Sequence, residues 1–106
     1  MEKLIEDFPD LFSECQYIEC LDGWFLLLHD LCQGVEKEKS KFKFTQIKEK
    51  FGRLRIYSIN SNALIDFLID NVEEKSSWIC EVCGEEGRII EKNFWLKCRC
   101  PEHELS

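Results

Sequence analysis

Residues 41–59 read KFKFTQIKEKFGRLRIYSI, and their alternation sets the architecture. Lys41, Lys43 and Thr45 alternate with Phe42, Phe44 and Gln46; beyond Gly52, Arg53, Arg55 and Tyr57 alternate with Leu54, Ile56 and Ser58. A period of two belongs to strands, whose successive side chains point to opposite faces. Two strands turning around Lys50-Phe51-Gly52 account for it, with one face apolar and the other cationic. A phase shift near Gln46 and Ile47 indicates a bulge, with a short helical turn through Lys48-Glu49-Lys50 as the alternative.

On either side of this hairpin the period changes to that of helices. Downstream, Ser61 or Asn62 is placed to cap a helix in which Leu64, Ile65, Leu68, Ile69 and Val72 share a stripe while Asp66, Asp70, Glu73 and Glu74 face water. Upstream, Asp22-Gly23 marks a turn, and from Trp24 a helix places Trp24, Leu27, Leu28, Leu31 and Val35 on one face, with Gly34 weakening its last turn. Near the start, Leu4, Ile5, Phe8, Leu11 and Phe12 have helical spacing interrupted by Pro9, which predicts a short helix capped by Asp10 after a frayed beginning. The expected fold class is α+β: helices packed on a small antiparallel hairpin or sheet, followed by a zinc-knuckle or ribbon-like element. Neither a repeat nor a linker interrupts the sequence, so residues 1–106 read as one domain, with an α+β body over 1–79 and a zinc-binding element over 80–106.

Composition narrows the function classes. A hydrophobic fraction of 44%, with eight Phe and three Trp, supplies a core and excludes a wholly disordered chain. The net charge of −7 is unevenly spread: residues 1–40 carry ten acids against three bases, whereas residues 41–60 carry one acid against six bases. An acidic body thus bears one basic band, and uniform phosphate binding is not expected. The opening EKLIEDFPDLF lacks the basic start and apolar run of a signal peptide, and the longest apolar run, WFLLL, is far short of a membrane span. The expectation is a cytoplasmic protein with no membrane partner. Seven cysteines, an odd number in such a setting, then read as buried small hydrophobes or metal ligands.

The ligands are legible by spacing. Cys80-x2-Cys83 is a knuckle whose two thiolates grip one ion when the chain turns tightly after them, and Gly84 supplies that turn. Cys100-x2-His103 forms a second pair after sixteen intervening residues, a separation typical of ribbons and fingers. Cys98 competes for the fourth place, but it lies two positions from Cys100 and points to the opposite side of an extended chain. The assignment is one structural Zn2+ per chain held by Cys80, Cys83, Cys100 and His103. Four protein ligands leave no position for a reacting water, and the His-x-Glu and Pro-Cys-x-x-Cys of zinc deaminases are absent from the sequence.

No catalytic constellation accompanies the knuckles. His29 and Cys32, three apart on a helix near Cys15 and Cys20, read as core or surface residues rather than as a second metal site, and the sequence contains no Gly-rich phosphate loop. The chain is therefore not expected to be an enzyme. The remaining chemical feature is the cationic strand face of Lys41, Lys43, Lys48, Lys50, Arg53 and Arg55. These residues suit a protein partner's acids, the chain's own acids, or a phosphate backbone with Phe51 and Tyr57 as stacking rings.

DGWFLLLHDL, QIKEKFGRLRIY and ICEVCGEEG, followed by Trp95, Cys100 and His103, together resemble a family of small phage and prophage proteins. The resemblance covers about Asp22 to His103. In that family a Trp stands five positions before the third ligand and a His three positions after it, and Trp95, Cys100 and His103 fit this register; Cys98 departs from the small hydroxyl residue more usual there. The resemblance implies a phage gene product acting in the cytoplasm of a bacterial host. The first functional expectation is a binding protein that inhibits or redirects a host protein, such as a nucleic-acid-handling defence system. The alternative is a nucleic-acid-binding accessory protein using the basic 41–55 hairpin.

Overall fold

The computed structural model describes residues 1–104. Its elements are helix α1 (Glu2–Asp7), strand β1 (Tyr17–Glu19), helix α2 (Phe25–Glu36), strands β2 (Lys43–Lys50) and β3 (Arg53–Ile59), helix α3 (Ala63–Ser76), and a terminal hairpin of β4 (Arg88–Lys92) and β5 (Trp95–Arg99). Short 3-10 turns at Asp22–Trp24 and Pro101–His103 complete it. The fold is α+β. Among the described residues no helix is long and apolar enough to cross a membrane.

The 41–59 stretch forms the hairpin that its alternation predicts. Phe51 and Gly52 turn the chain with φ of 55° and 84°, the two positive angles that match the twist of the flanking strands. Glu49 locks the turn by accepting from the Gly52 amide at 2.8 Å. The register slips between Phe44 and Gln46, so the bulge lies at Thr45, slightly ahead of its expected place, and Lys48-Glu49-Lys50 stays in the strand. That slip keeps Phe42, Phe44 and Ile47 all buried despite their uneven spacing.

The sheet is larger than the hairpin. Strand β1 adds to β2 in parallel, pairing Tyr17 with Gln46, Ile18 with Ile47 and Glu19 with Lys48. Helix α3 begins at the Asn62 cap, whose side chain accepts from the Ile65 amide at 2.9 Å. Ile65, Ile69 and Val72 face the core, but Leu64 is 48% exposed and leaves the expected stripe. Glu73 turns from water to accept from the Ile56 amide at 2.8 Å, and Ser76 accepts from the Leu54 amide at 2.9 Å. Trp24, in the turn before α2, and Leu28, Leu31, Cys32 and Val35 on α2 fill the other side of the core.

The first helix departs from expectation. It runs over Glu2–Asp7, ahead of Pro9, and residues 9–14 form turns rather than an Asp10-capped helix. Phe8 precedes a proline, a position that disfavours helical backbone, and there α1 ends. Asp10 uses its carbonyl instead, accepting from the Ser13 hydroxyl at 3.0 Å and the Lys43 ammonium at 2.7 Å. Leu11 and Phe12 still reach the core, and Phe12 stacks on Phe44 with ring centroids 4.9 Å apart.

Candidate metal centre

The knuckle at 80–84 is built by backbone bonds. Gly84 donates to the Cys80 carbonyl at 2.9 Å and takes a φ of 85°, closing a tight turn that a side chain would strain. Cys80 donates to the Glu85 carbonyl at 2.8 Å, and Glu81 to the Cys98 carbonyl at 3.1 Å, which ties the knuckle to β5. After β5, Cys100 opens the terminal 3-10 turn, with Pro101 at its first position, and His103 donates its amide back to the Cys100 carbonyl at 3.0 Å.

These two turns bring the donor atoms of Cys80, Cys83, Cys100 and His103 within 4.8 Å of one another. Cys83 Sγ lies 3.6 Å from Cys100 Sγ, and His103 Nδ1 lies 3.7 Å from Cys80 Sγ and 3.1 Å from Cys100 Sγ. Thiolates bonded to zinc in a tetrahedron stand about 3.8 Å apart, so the cluster has the size of a metal-binding cage. Its electrostatics point the same way. Burial resists ionisation of Cys80, yet the amides of Cys100, Cys83 and Val82 outweigh it and draw the thiol down to about 6. At Cys83 the Glu85 amide pulls downward, but desolvation and the neighbouring Cys100 and Cys80 sulfurs push the thiol up to about 11. Three sulfurs this close cannot all hold negative charge without a cation among them.

Cys98 stands apart from the four. It is buried in the hydrophobic core, and burial, with the charge at Cys80, pushes its thiol up to about 11. His29 and Cys32 do not converge on a second cluster. His29 sits between the rings of Phe8 and Phe25 with its Nε2 3.6 Å from Asp7, while Cys32 is buried and pushed up to about 12 by desolvation.

The support of the cluster lies largely outside the Cys/His motifs. The Gly23 amide donates to the Glu81 carbonyl at 2.7 Å, and the Trp24 indole donates to the Ile79 carbonyl at 2.9 Å. The Gly-Trp pair that opens α2 therefore seats the knuckle. Glu81, only 4% exposed, accepts from the Leu21 amide at 3.1 Å through one carboxylate oxygen and from Arg99 at 3.2 Å through the other. Sequence reasoning missed Glu81, because nothing in the interval from Leu21 to Glu81 announces the contact. Removing one partner of a buried ion pair strands the other charge. Glu81→Ala is expected to lower stability by about 3 kcal/mol in urea unfolding, and an unchanged midpoint would refute this role.

The six cations are divided by the fold. Lys48 pairs across the hairpin with Arg55 and Lys50 with Arg53, forming two adjacent rows on the outer sheet face. Lys43 turns its ammonium to the Asp10 carbonyl, and Lys41 lies before the strand begins. Among the described residues none of the six forms an ion pair with a carboxylate of the chain: the pairs present join Met1 to Asp22, Lys3 and His29 to Asp7, Arg88 to Glu104, Lys97 to Glu49 and Arg99 to Glu81. The basic band is thus not spent on the protein's own acids.

Fold and cluster together define an α+β protein with a knuckle-type Cys3His site of metal-binding geometry. The chain matches no family model, no curated protein and no solved structure.

Proposed function

We propose that this chain is a phage-type, zinc-stapled binding protein that captures a protein in the cytoplasm of its bacterial host and blocks or redirects it. Three thiolates and an imidazole in a tetrahedral set suit Zn2+, and four protein donors give it a structural role with no open position for catalysis. The observation that carries the binding reading is the outer face of α3. Phe67 is 61% exposed and Leu64 48% exposed, among Asp66, Asp70 and Glu74, which have no ion-pair partner among the described residues. Apolar anchors set in an acidic surround suit a basic groove, and nucleic-acid-handling defence proteins carry such grooves.

A pull-down from bacterial lysate tests this. A protein retained after nuclease treatment and lost from a Phe67→Asp variant that keeps its metal is the expected result. Retention that vanishes with nuclease would defeat the reading. A second reading, a nucleic-acid-binding accessory protein, is favoured by the unpaired cations of the 41–55 hairpin.

A further inference from the structure

The tips of the two hairpins lie side by side. A side chain added at Gly52 would meet Ile89 at 3.2 Å and the Lys97 backbone at 3.4 Å, and the Lys97 ammonium bonds Glu49 at 2.8 Å. Between the tips is an open cleft of about 630 Å³ walled by Phe51 on one side and by Phe94, Trp95 and Leu96 on the other. Its rings are held outward: Phe94 is 98% exposed, Trp95 68% and Phe51 61%. Asn93 and Phe94 both take positive φ, 51° and 69°, so the tight turn itself presents the Phe94 ring to solvent.

Cations accompany these rings. The Lys97 ammonium lies 5.8 Å from the Trp95 ring centroid, Lys50 lies 5.5 Å from Phe51, and Lys48 lies 5.4 Å from Tyr57. Lys50 lines the cleft and also opens the cationic rows with Arg53, so the cleft runs on to the outer sheet face. Successive rows on one face of a strand are about 6.8 Å apart. The surface therefore repeats one unit, a ring beside a positive charge. An unpaired nucleotide repeats the complementary unit, a base with a free π-face beside a phosphate. A duplex keeps its base faces stacked inside and cannot use the rings, and an acidic protein segment offers the charges without a ring at each step.

From this juxtaposition we propose that the hairpin-tip cleft and the adjoining sheet face form a binding site for single-stranded nucleic acid, with bases stacking on Trp95, Phe94 and Phe51 and phosphates on Lys50, Lys48, Arg53 and Arg55. The proposal rests on the second reading above and adds the strand form and the stacking residues to it. The net charge of −7 does not oppose it: Glu49, the acid lining the cleft, is taken by Lys97 at 2.8 Å, and Lys48, Lys50, Arg53 and Arg55 form no ion pair among the described residues.

Fluorescence anisotropy with labelled oligo-dT, oligo-U and a duplex of equal length tests it, using the metal-loaded full chain at about 50 mM salt and again at about 200 mM. The single strands are expected to bind in the micromolar range and the duplex at least tenfold more weakly. Affinity should fall steeply with salt as counterions are released. Trp95→Ala with Phe94→Ala is expected to weaken single-strand binding about tenfold or more without flattening the salt dependence, as loss of stacking requires. Arg53→Glu with Arg55→Glu should abolish binding. Metal content and circular dichroism are read on each variant. Both should be unchanged for the ring variants, and metal content for the arginine pair, in which Arg53 also donates its Nε to the Glu73 carbonyl at 3.4 Å. Lys48→Glu with Lys50→Glu should abolish binding with no change in either. Single strand and duplex bound equally, with the ring variants unaffected, would overturn the cleft while leaving nucleic-acid binding in place. No oligonucleotide binding, with a nuclease-resistant protein held through Trp95 instead, would overturn both.

Discussion

Cys80→Ser strips the chain of its metal and unfolds at least its terminal element: that is the expected result, and the largest single effect in the molecule. Cys80 is fully buried, its sulfur faces His103, and the backbone around it joins β5, the 3-10 turn at Asp22–Trp24 and the segment following α3. Structural zinc in small modules contributes apparent binding energies of about 10–16 kcal/mol, which is as large as the whole stability of an ordinary domain, about 5–15 kcal/mol. Protein purified without added zinc should carry about one equivalent, and the variant close to none. The melting temperature should fall with it, and a chelator should reproduce the fall in the parent protein. Cys98→Ser is the control, because that thiol lies outside the cage; it should keep its metal and lose only about 1 kcal/mol. A Cys80→Ser protein with a full equivalent of metal and an unchanged melt would sink the assignment.

The second large effect is expected at Gly23, far from the ligands in sequence. A Cβ there would lie 2.2 Å from the Cys80 carbonyl oxygen and 2.4 Å from that of Glu81, both backbone atoms that no side-chain rotation can clear. Gly23→Ala must therefore push the turn away from the knuckle and break the 2.7 Å bond from the Gly23 amide to Glu81. The expected cost is about 3 kcal/mol or more, with weaker metal retention in competition with a chelator. Gly34→Ala makes the contrast. Its Cβ would meet only the Leu68 side chain, at an ordinary 3.4 Å, inside a helix that alanine favours, so stability should hold or rise by up to about 1 kcal/mol. Equal stability for the two variants would refute the argument.

What could be read from residues alone follows the range of the forces involved. The 41–59 hairpin was legible because alternation is local and because Phe51-Gly52 is a turn of fixed length. The four donors were legible because a knuckle is a spacing rule, and the geometry of one ion restricts which cysteines qualify. Strand β1 was not, since three residues are too few to display a period and its pairing partner lies in a different part of the chain. Pro9 marks an interruption, but the pattern Leu4, Ile5, Phe8, Leu11, Phe12 looks equally helical on both sides of it. The restriction on Phe8 and the bond from the Phe44 amide to the Leu11 carbonyl at 2.9 Å decided for the earlier half. Glu73 and Glu81 carried no sign of the bonds they make, because an acidic residue in a polar stretch reads as solvated until the backbone amide it serves is known.

The two bonds from α3 to β3 have a further consequence. Strands at a sheet's margin expose amides that invite the strands of other molecules, and uncontrolled pairing of this kind leads to aggregates. Here the Ile56 and Leu54 amides on that margin are already taken by Glu73 and Ser76, so the sheet cannot grow past β3. Its other margin is β1, only three residues long and ending in charged Glu19. With exposed Phe and Trp side chains on display, the chain has thus capped one margin of its larger sheet against backbone pairing and kept the other short.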